Sequence, residues 1–385
     1  MEVTSFEQLV TSNPSDGLVL HNISSPDGSI RGSFLELGGS AYSLFVKDKD
    51  GDFRDVILGF DDFELYTQIR AQFGAAVGRY AGRIRNGTYS IPTTHNTAIN
   101  NSLPAGIEIF HTTLNENNVT TLHGGAKGYD LRAWSYIDST PHSLTLGLLD
   151  KNGTEGFGGS VYTELTYTLT STSWHLRFLS RVLEGKTPVK LTSHAYWNLE
   201  GYHAYTNDTN RTFLDSHNLQ LNADRALQVD AALLPTGEIL DVDNVPGLDF
   251  RTDKPLVDHF VTNGTTPFCG PGCDGINICM IYEDDRSTKK PALTLRSVDS
   301  GINMDVYTNQ PSVEVWTCEG IGVASLPRKA SQGGATAGIY GSRSCVALEQ
   351  GGWDDAINHP EWGQNQIYKE GEVVVWESEY RFSVV

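Results

Sequence analysis

Two segments far apart in the chain carry side chains suited to moving protons. One is Thr192-Ser193-His194-Ala195-Tyr196-Trp197-Asn198-Leu199, the other Ala347-Leu348-Glu349-Gln350. The first offers an imidazole and the second a carboxylate. Such a pair gives a proton to one oxygen while taking one from another, which is the minimum equipment for opening a ring hemiacetal. An unperturbed imidazole titrates at about pH 6.5, so a neighbouring carboxylate favours its charged form at neutrality. Glu349 is itself a candidate for that neighbour. The stretch Cys345-Val346-Ala347-Leu348 is apolar and reads as a strand delivering Glu349 to a pocket.

Elements of one kind must position these groups. Val161, Thr163, Leu165, Tyr167 and Leu169 share one parity, with Tyr162, Glu164, Thr166 and Thr168 on the other. Trp174, Leu176 and Phe178 repeat the pattern, as do Ile302, Met304 and Val306. Val373-Val374-Val375-Trp376 and Tyr380-Arg381-Phe382 read as closing strands. Alternation broken by Gly, Asn, Asp and Pro clusters indicates half-buried antiparallel strands. Helical periodicity is scarce, and only Asp61 to Phe73 has room for a turn or two. With 39 Gly and 15 Pro, the chain reads as a large all-β sandwich with long loops, a single domain over 1–385. The Gly-, Ala- and Ser-rich stretch 320–344 reads as a flexible insertion.

Charge narrows the partners. The 385 residues carry 28 basic and 47 acidic side chains, a formal net charge of −19. Such a surface repels phosphate backbones and anionic membranes, so neither nucleic acid nor membrane is expected as a partner. No run approaches the roughly 18 apolar residues of a bilayer span.

The N-terminus, Met1-Glu2-Val3-Thr4, has no basic region followed by an apolar core. Yet glycosylation sequons begin at Asn22, Asn86, Asn100, Asn118, Asn152, Asn207, Asn210 and Asn263. That is about twice the chance expectation for N-x-S/T at this composition. The expectation is a secreted glycoprotein whose leader lies outside this numbering, with a cytoplasmic protein as the alternative.

Five cysteines leave at least one unpaired or bonded to another chain. Cys269 and Cys273 resemble half a zinc site, but no second pair completes it. A turn disulfide or plain thiols are expected there, and no metal. Cys318 and Cys345 bracket the 320–344 stretch, and a disulfide between them would staple its base.

Several blocks, in order along nearly the whole chain, resemble the aldose 1-epimerases, or galactose mutarotases. They are Gly78-Arg79-Tyr80-Ala81-Gly82-Arg83-Ile84, Leu122-His123-Gly124-Gly125 with Gly128-Tyr129-Asp130 and Trp134, and Ser193-His194-Ala195-Tyr196-Trp197-Asn198-Leu199. Leu234-Pro235-Thr236-Gly237-Glu238-Ile239, Tyr307-Thr308-Asn309-Gln310-Pro311, and Leu348-Glu349-Gln350 with Asp355-Ala356-Ile357-Asn358 follow. The resemblance implies an antiparallel β supersandwich and a cofactor-independent isomerase that interconverts the anomers of a free aldose such as glucose or galactose.

It also implies roles. Glu349 would be the base at the C1 hydroxyl and His194 the acid at the ring oxygen. His123 would bind substrate, and either histidine can carry the acid role. Arg83 would bind sugar, its fork of donors suiting vicinal hydroxyls. Family members commonly carry Asn before this arginine, and here Gly82 stands there, so one hydroxyl contact is lost or made by another group. Asp274 and Gln310 would contact hydroxyls, although Asp274-Gly275-Ile276-Asn277 departs from the family's pattern. Tyr196, Trp197 or Trp353 would offer an aromatic platform, or equally belong to the core. Arg79 and Arg85 read as structural or solvated.

Three rival readings are a hexose-6-phosphate mutarotase, a lectin-like protein with a degenerate pocket, and a glycosidase. The first needs extra cations for a dianion. The last needs a second carboxyl group placed as well as Glu349, and the sequence shows none.

Overall fold

Alternating sequence becomes alternating burial. The computed structural model describes residues 18–92, 106–203, 213–256, 268–270, 273, 275–283, 290–321 and 325–385. Within it Ser160–Leu169 pairs antiparallel with Ser173–Glu184, placing Leu165 opposite Phe178 and Tyr167 opposite Leu176. All four of these side chains are buried. The two strands belong to a nine-stranded antiparallel sheet. The two expected closing strands are one continuous strand, Val373–Val384, which lies at the centre of that sheet between Ser173–Glu184 and Ile302–Thr308. Both its edges are satisfied by neighbours, which is why the run stays extended through Glu377-Ser378-Glu379.

A second sheet of six strands orders as Tyr196–Trp197, Val346–Gly351, Ser312–Trp316, Asn277–Tyr282, Ala223–Val229 and Pro235–Asp241. Its inner face supplies Val346, Leu348, Val313, Val315, Ile278 and Met280 to a single apolar cluster shared with the larger sheet. Burying each such side chain contributes about 1.5–3 kcal/mol. Its other face is the floor of the functional cavity. A four-stranded antiparallel sheet at the N-terminal side spans Leu20–Ser24 to Phe53–Asp55. The expected helical stretch provides one turn, Leu65–Gln68.

The described part of 320–344, expected as a flexible insertion, bonds to the body at several points. Lys329 and Asp55 form an ion pair at 2.7 Å with both side chains fully buried. Lys329 Nζ also donates to the Tyr42 carbonyl. Ser331 Oγ donates to Asp55 Oδ2, and Gln332 Nε2 to the carbonyls of Asp55 and Ile57. The small residues permit close packing here rather than motion.

Cysteine pairing also differs from one expectation. Cys269 and Cys273 are disulfide-bonded. Cys318 and Cys345 are not. Both are free, buried thiols, and Cys318 Sγ donates to the Trp316 carbonyl.

Lys329→Met strands the Asp55 carboxylate without its counter-charge. It should lose about 3–5 kcal/mol of stability, read as a lower urea midpoint at unchanged slope. A midpoint equal to the parent's would refute the clamp.

Candidate active site

Strand parity builds the floor of the cavity. Glu314 pairs directly with Glu349, and Trp316 with Ala347, across two adjacent strands. Since Val313, Val315 and Leu348 face the core, Glu314, Trp316 and Glu349 face the opposite way. Cys279 pairs with Glu314 and Asn277 with Trp316 on the next strand, continuing the floor. One wall is the extended run Lys190–Tyr196, whose even-numbered members Lys190, Thr192, His194 and Tyr196 line the cavity. The other wall carries Arg83, Glu116 and His123. The enclosed volume is about 380 Å³, within the roughly 300–1,000 Å³ usual for small-molecule sites.

His194 and Glu349 meet as the sequence suggested. Nε2 of His194 lies 3.2 Å from Glu349 Oε1, with both side chains almost wholly buried. His194 Nδ1 is buried and has no hydrogen-bond partner among the described residues. His123 stands edge-on to His194, ring centroids 5.3 Å apart. The backbone N–H of Gly82 donates to His123 Nδ1 at 3.1 Å, so that nitrogen is the acceptor and Nε2 carries the proton of a neutral ring. Burial, with His194 and Arg83 adding repulsion, holds the His123 pKa well below the usual imidazole range. His123 is therefore equipped to donate a hydrogen bond while staying neutral.

One donor atom from each of His123, His194 and Glu349 falls within 4.8 Å of the others. With Nδ1 accepting from Gly82 and Nε2 protonated, the neutral His123 ring has no lone pair free for a metal ion.

The two glutamates are not equivalent. Burial raises the Glu349 pKa, partly countered by His194 and Lys190. Burial raises Glu314 well above the usual carboxylate range, reinforced by Asp354 and Glu349. Two carboxyl groups so close do not ionise together readily. Glu349 has an imidazole at 3.2 Å, which favours its ionised form, whereas burial favours the neutral form of Glu314. Glu314 also overturns the expectation that no second carboxyl group stands beside Glu349.

Each cation lining the cavity already has a carboxylate. Arg83 forks onto Glu116 with two bonds of 2.9 Å. Arg70 forks onto Asp130 at 2.8 and 3.0 Å. Lys190 Nζ donates to Asp354 Oδ1 at 2.9 Å. Arg79 is structural, fully buried against Asp150 and the carbonyls of Gly158 and Gly159. Arg85 bonds Asp230 and the Pro235 carbonyl.

Of the expected contacts, Arg83, His123, His194 and Glu349 converge on the cavity. Gln310 does not. It sits in the crossover between the two sheets, where its amide donates to Asn309 Oδ1 and its backbone N–H to Thr308 Oγ1. The strand beginning at Ser312 reaches the cavity through Glu314 instead. Asp274 lies outside the described residues. Trp197 is no platform, since its parity sends it into the core against Trp174 and Tyr380. Trp353 is buried against Trp362 away from the cavity. Tyr196 and Trp316 are the aromatic rings on the cavity wall.

Residues the sequence reading missed are Arg70, Glu116, Lys190, Glu314, Trp316 and Asp354. Parity held a signal for three of them. Lys190 shares the face of His194, and Glu314 and Trp316 are the exceptions to an apolar strand.

Comparison with known proteins identifies the family. A family model described as aldose 1-epimerase matches residues 23–381. The chain is 33% identical to a protein of Arthroderma benhamiae named probable aldose 1-epimerase, over 90% of this chain and 83% of that one. It is 30% identical to the galactose mutarotase of Bos taurus, over 92% of each. A solved structure of an aldose epimerase homologue from C. elegans shares the fold with a TM-score of 0.77 at 24% identity, covering 95% of this chain and 99% of that one.

Burial penalises the carboxylate form, so Glu314 and Glu349 should ionise later than surface glutamates as pH rises. Carboxyl carbon NMR should place Glu349 above the ordinary value of about 4.3 and Glu314 higher still. Titration of both alongside the surface glutamates would contradict the assigned charge states.

Proposed function

The chain belongs to the aldose 1-epimerase family, and on that premise we propose that Glu349 and His194 open and reclose the ring of a free aldose. The enzyme is an isomerase acting on carbohydrates. In the forward step Glu349 takes the proton of the C1 hydroxyl while His194 gives one to the ring oxygen. The bond from C1 to the ring oxygen breaks, leaving an aldehyde and a free hydroxyl. Rotation about C1–C2 presents the other carbonyl face. Closure reverses both transfers, so protons and electrons balance with no redox step.

The observation that carries this reading is the buried contact of 3.2 Å between His194 and Glu349. An acid and a base held this close reach two atoms bonded to the same carbon. The raised pKa makes Glu349 a stronger base than a surface carboxylate, and catalysis is best when that value nears the working pH. His123 is poorly suited to deliver the proton, because its charged form is scarce at neutrality. Its burial keeps it neutral, suiting it to hold an oxygen by its Nε2–H.

We read the substrate as an uncharged hexose such as galactose or glucose. Support comes from the relatives named galactose mutarotase and from the cation pairing. Arg70, Arg83 and Lys190 are each matched by a carboxylate, which disfavours a phosphosugar dianion. The Trp316 and Tyr196 rings suit a sugar's C–H face. We also read the protein as a secreted glycoprotein. The sequon asparagines within the described residues, Asn22, Asn86, Asn118 and Asn152, are all exposed, and the Cys269–Cys273 disulfide fits an oxidising compartment. Removing N-glycans from native protein should lower its mass; an unchanged mass would argue for the cytoplasm.

Polarimetry tests the reaction. The protein should speed the approach of fresh α-galactose or α-glucose to anomeric equilibrium. Glu349→Gln and His194→Asn should each lose about 10²–10⁴-fold in rate. Glu314→Gln mimics a protonated acid and should stay within severalfold of the parent near neutrality. Because Glu349 must be ionised, the rate should fall as pH drops through its raised pKa. Full rate in Glu349→Gln would end the assignment.

A further inference from the structure

We propose that Lys190 is a sugar-binding residue whose ammonium stands where a side chain at position 82 would be and donates to a hydroxyl of the bound aldose. The proposal rests on the mutarotase reading of the cavity and deepens it.

Gly82 lies at the junction of the two walls. Its N–H holds His123 Nδ1, and its carbonyl accepts from the His123 backbone at 2.9 Å. Its φ of +71° suits glycine. A Cβ built there would fall 1.8 Å from Asp354 Oδ1 and 2.7 Å from Lys190 Nζ. The room for a side chain beside Arg83 is thus taken by this ion pair. The backbone enforces the placement. Lys190 N–H donates to the Arg79 carbonyl at 3.0 Å, and the Lys190 carbonyl accepts from Ala81 at 2.7 Å. The side chain therefore has little choice but to emerge next to Gly82.

The ammonium is buried yet lightly used. Lys190 is 8% exposed, and its bond to Asp354 is the one hydrogen bond of Nζ among the described residues. An ammonium has three donors, so two remain on a cavity-lining group. Leaving donors of a buried charge unmet is unfavourable, and a polyhydroxylated ligand would meet them. Asp354 Oδ1 also accepts the Arg83 backbone N–H at 2.9 Å. One carboxylate oxygen thereby fixes the ammonium relative to the strand that carries Arg83. A purely structural counter-ion for Asp354 would not need to line the cavity.

The test compares the preferred aldose with its monodeoxy analogues in the parent enzyme, Lys190→Arg, Lys190→Met and the double variant Lys190→Met/Asp354→Asn, which removes both charges if the single change does not fold. Mutarotation gives kcat and KM, and thermal melts report folding. One deoxy sugar should bind the parent about 10- to 100-fold worse than the full aldose, the loss expected for a hydrogen bond from a charged donor. Lys190→Met, or the double variant, should raise KM for the full aldose by a similar factor, with a smaller change in kcat. It should leave KM for that deoxy sugar nearly unchanged, so that discrimination disappears. Lys190→Arg should retain part of it. A folded variant that keeps the parent's KM and its full discrimination among every analogue would overturn the Lys190 assignment alone. A parent without acceleration would instead remove the mutarotase reading.

Discussion

The register between Ser312–Trp316 and Val346–Gly351 is the constraint on which the site depends. It sets Glu314 opposite Glu349 and Val315 opposite Leu348. The apolar pair faces the core shared by both sheets, so the acidic pair has to face the cavity. Slipping one strand by a single residue would bury a carboxylate among aliphatic side chains and expose a leucine. Core packing and placement of the chemistry are therefore one specification, and the burial of Val313, Val315, Val346 and Leu348 holds the register against that slip.

Burial then does the electrostatic work. Four acids line the cavity, Glu116, Glu314, Glu349 and Asp354, against Arg70, Arg83 and Lys190. Arg83 and Lys190 neutralise Glu116 and Asp354, while Arg70 is held by Asp130 below the wall. What remains is Glu349 beside an imidazole and Glu314, whose pKa burial pushes well above the usual carboxylate range. A water-filled cleft would blur this distinction, since charges a few ångströms apart interact weakly in bulk solvent. In a partly enclosed cavity the same geometry sets the two carboxyl groups apart, burial raising Glu314 further than Glu349.

Much of this was legible in the chain. Period two in Ser160–Leu169 and Ser173–Glu184 announced the antiparallel sheet, because half-buried strands must alternate. His194, Glu349, His123 and Arg83 stood in blocks whose neighbours are specific. The errors share a cause. Gln310 and Trp197 were judged by residue type, although strand parity and sheet membership decide which side chains reach the cavity. Trp197 lies one residue beyond Tyr196, and that step carries it from wall to core. The pairing of Arg83 with Glu116, and of Arg70 with Asp130, spans loops whose closure no local pattern encodes. The composition of 320–344 resembles a linker and gave no sign that Lys329, Gln332 and Tyr340 each bond the body through a single polar group.

The crowding at Gly82 has a mutational consequence. No residue with a β-carbon fits there while Asp354 keeps its present rotamer. A side chain at 82 is admitted when the ends of Asp354 and Lys190 swing aside, so substitutions at 82, 190 and 354 should combine non-additively.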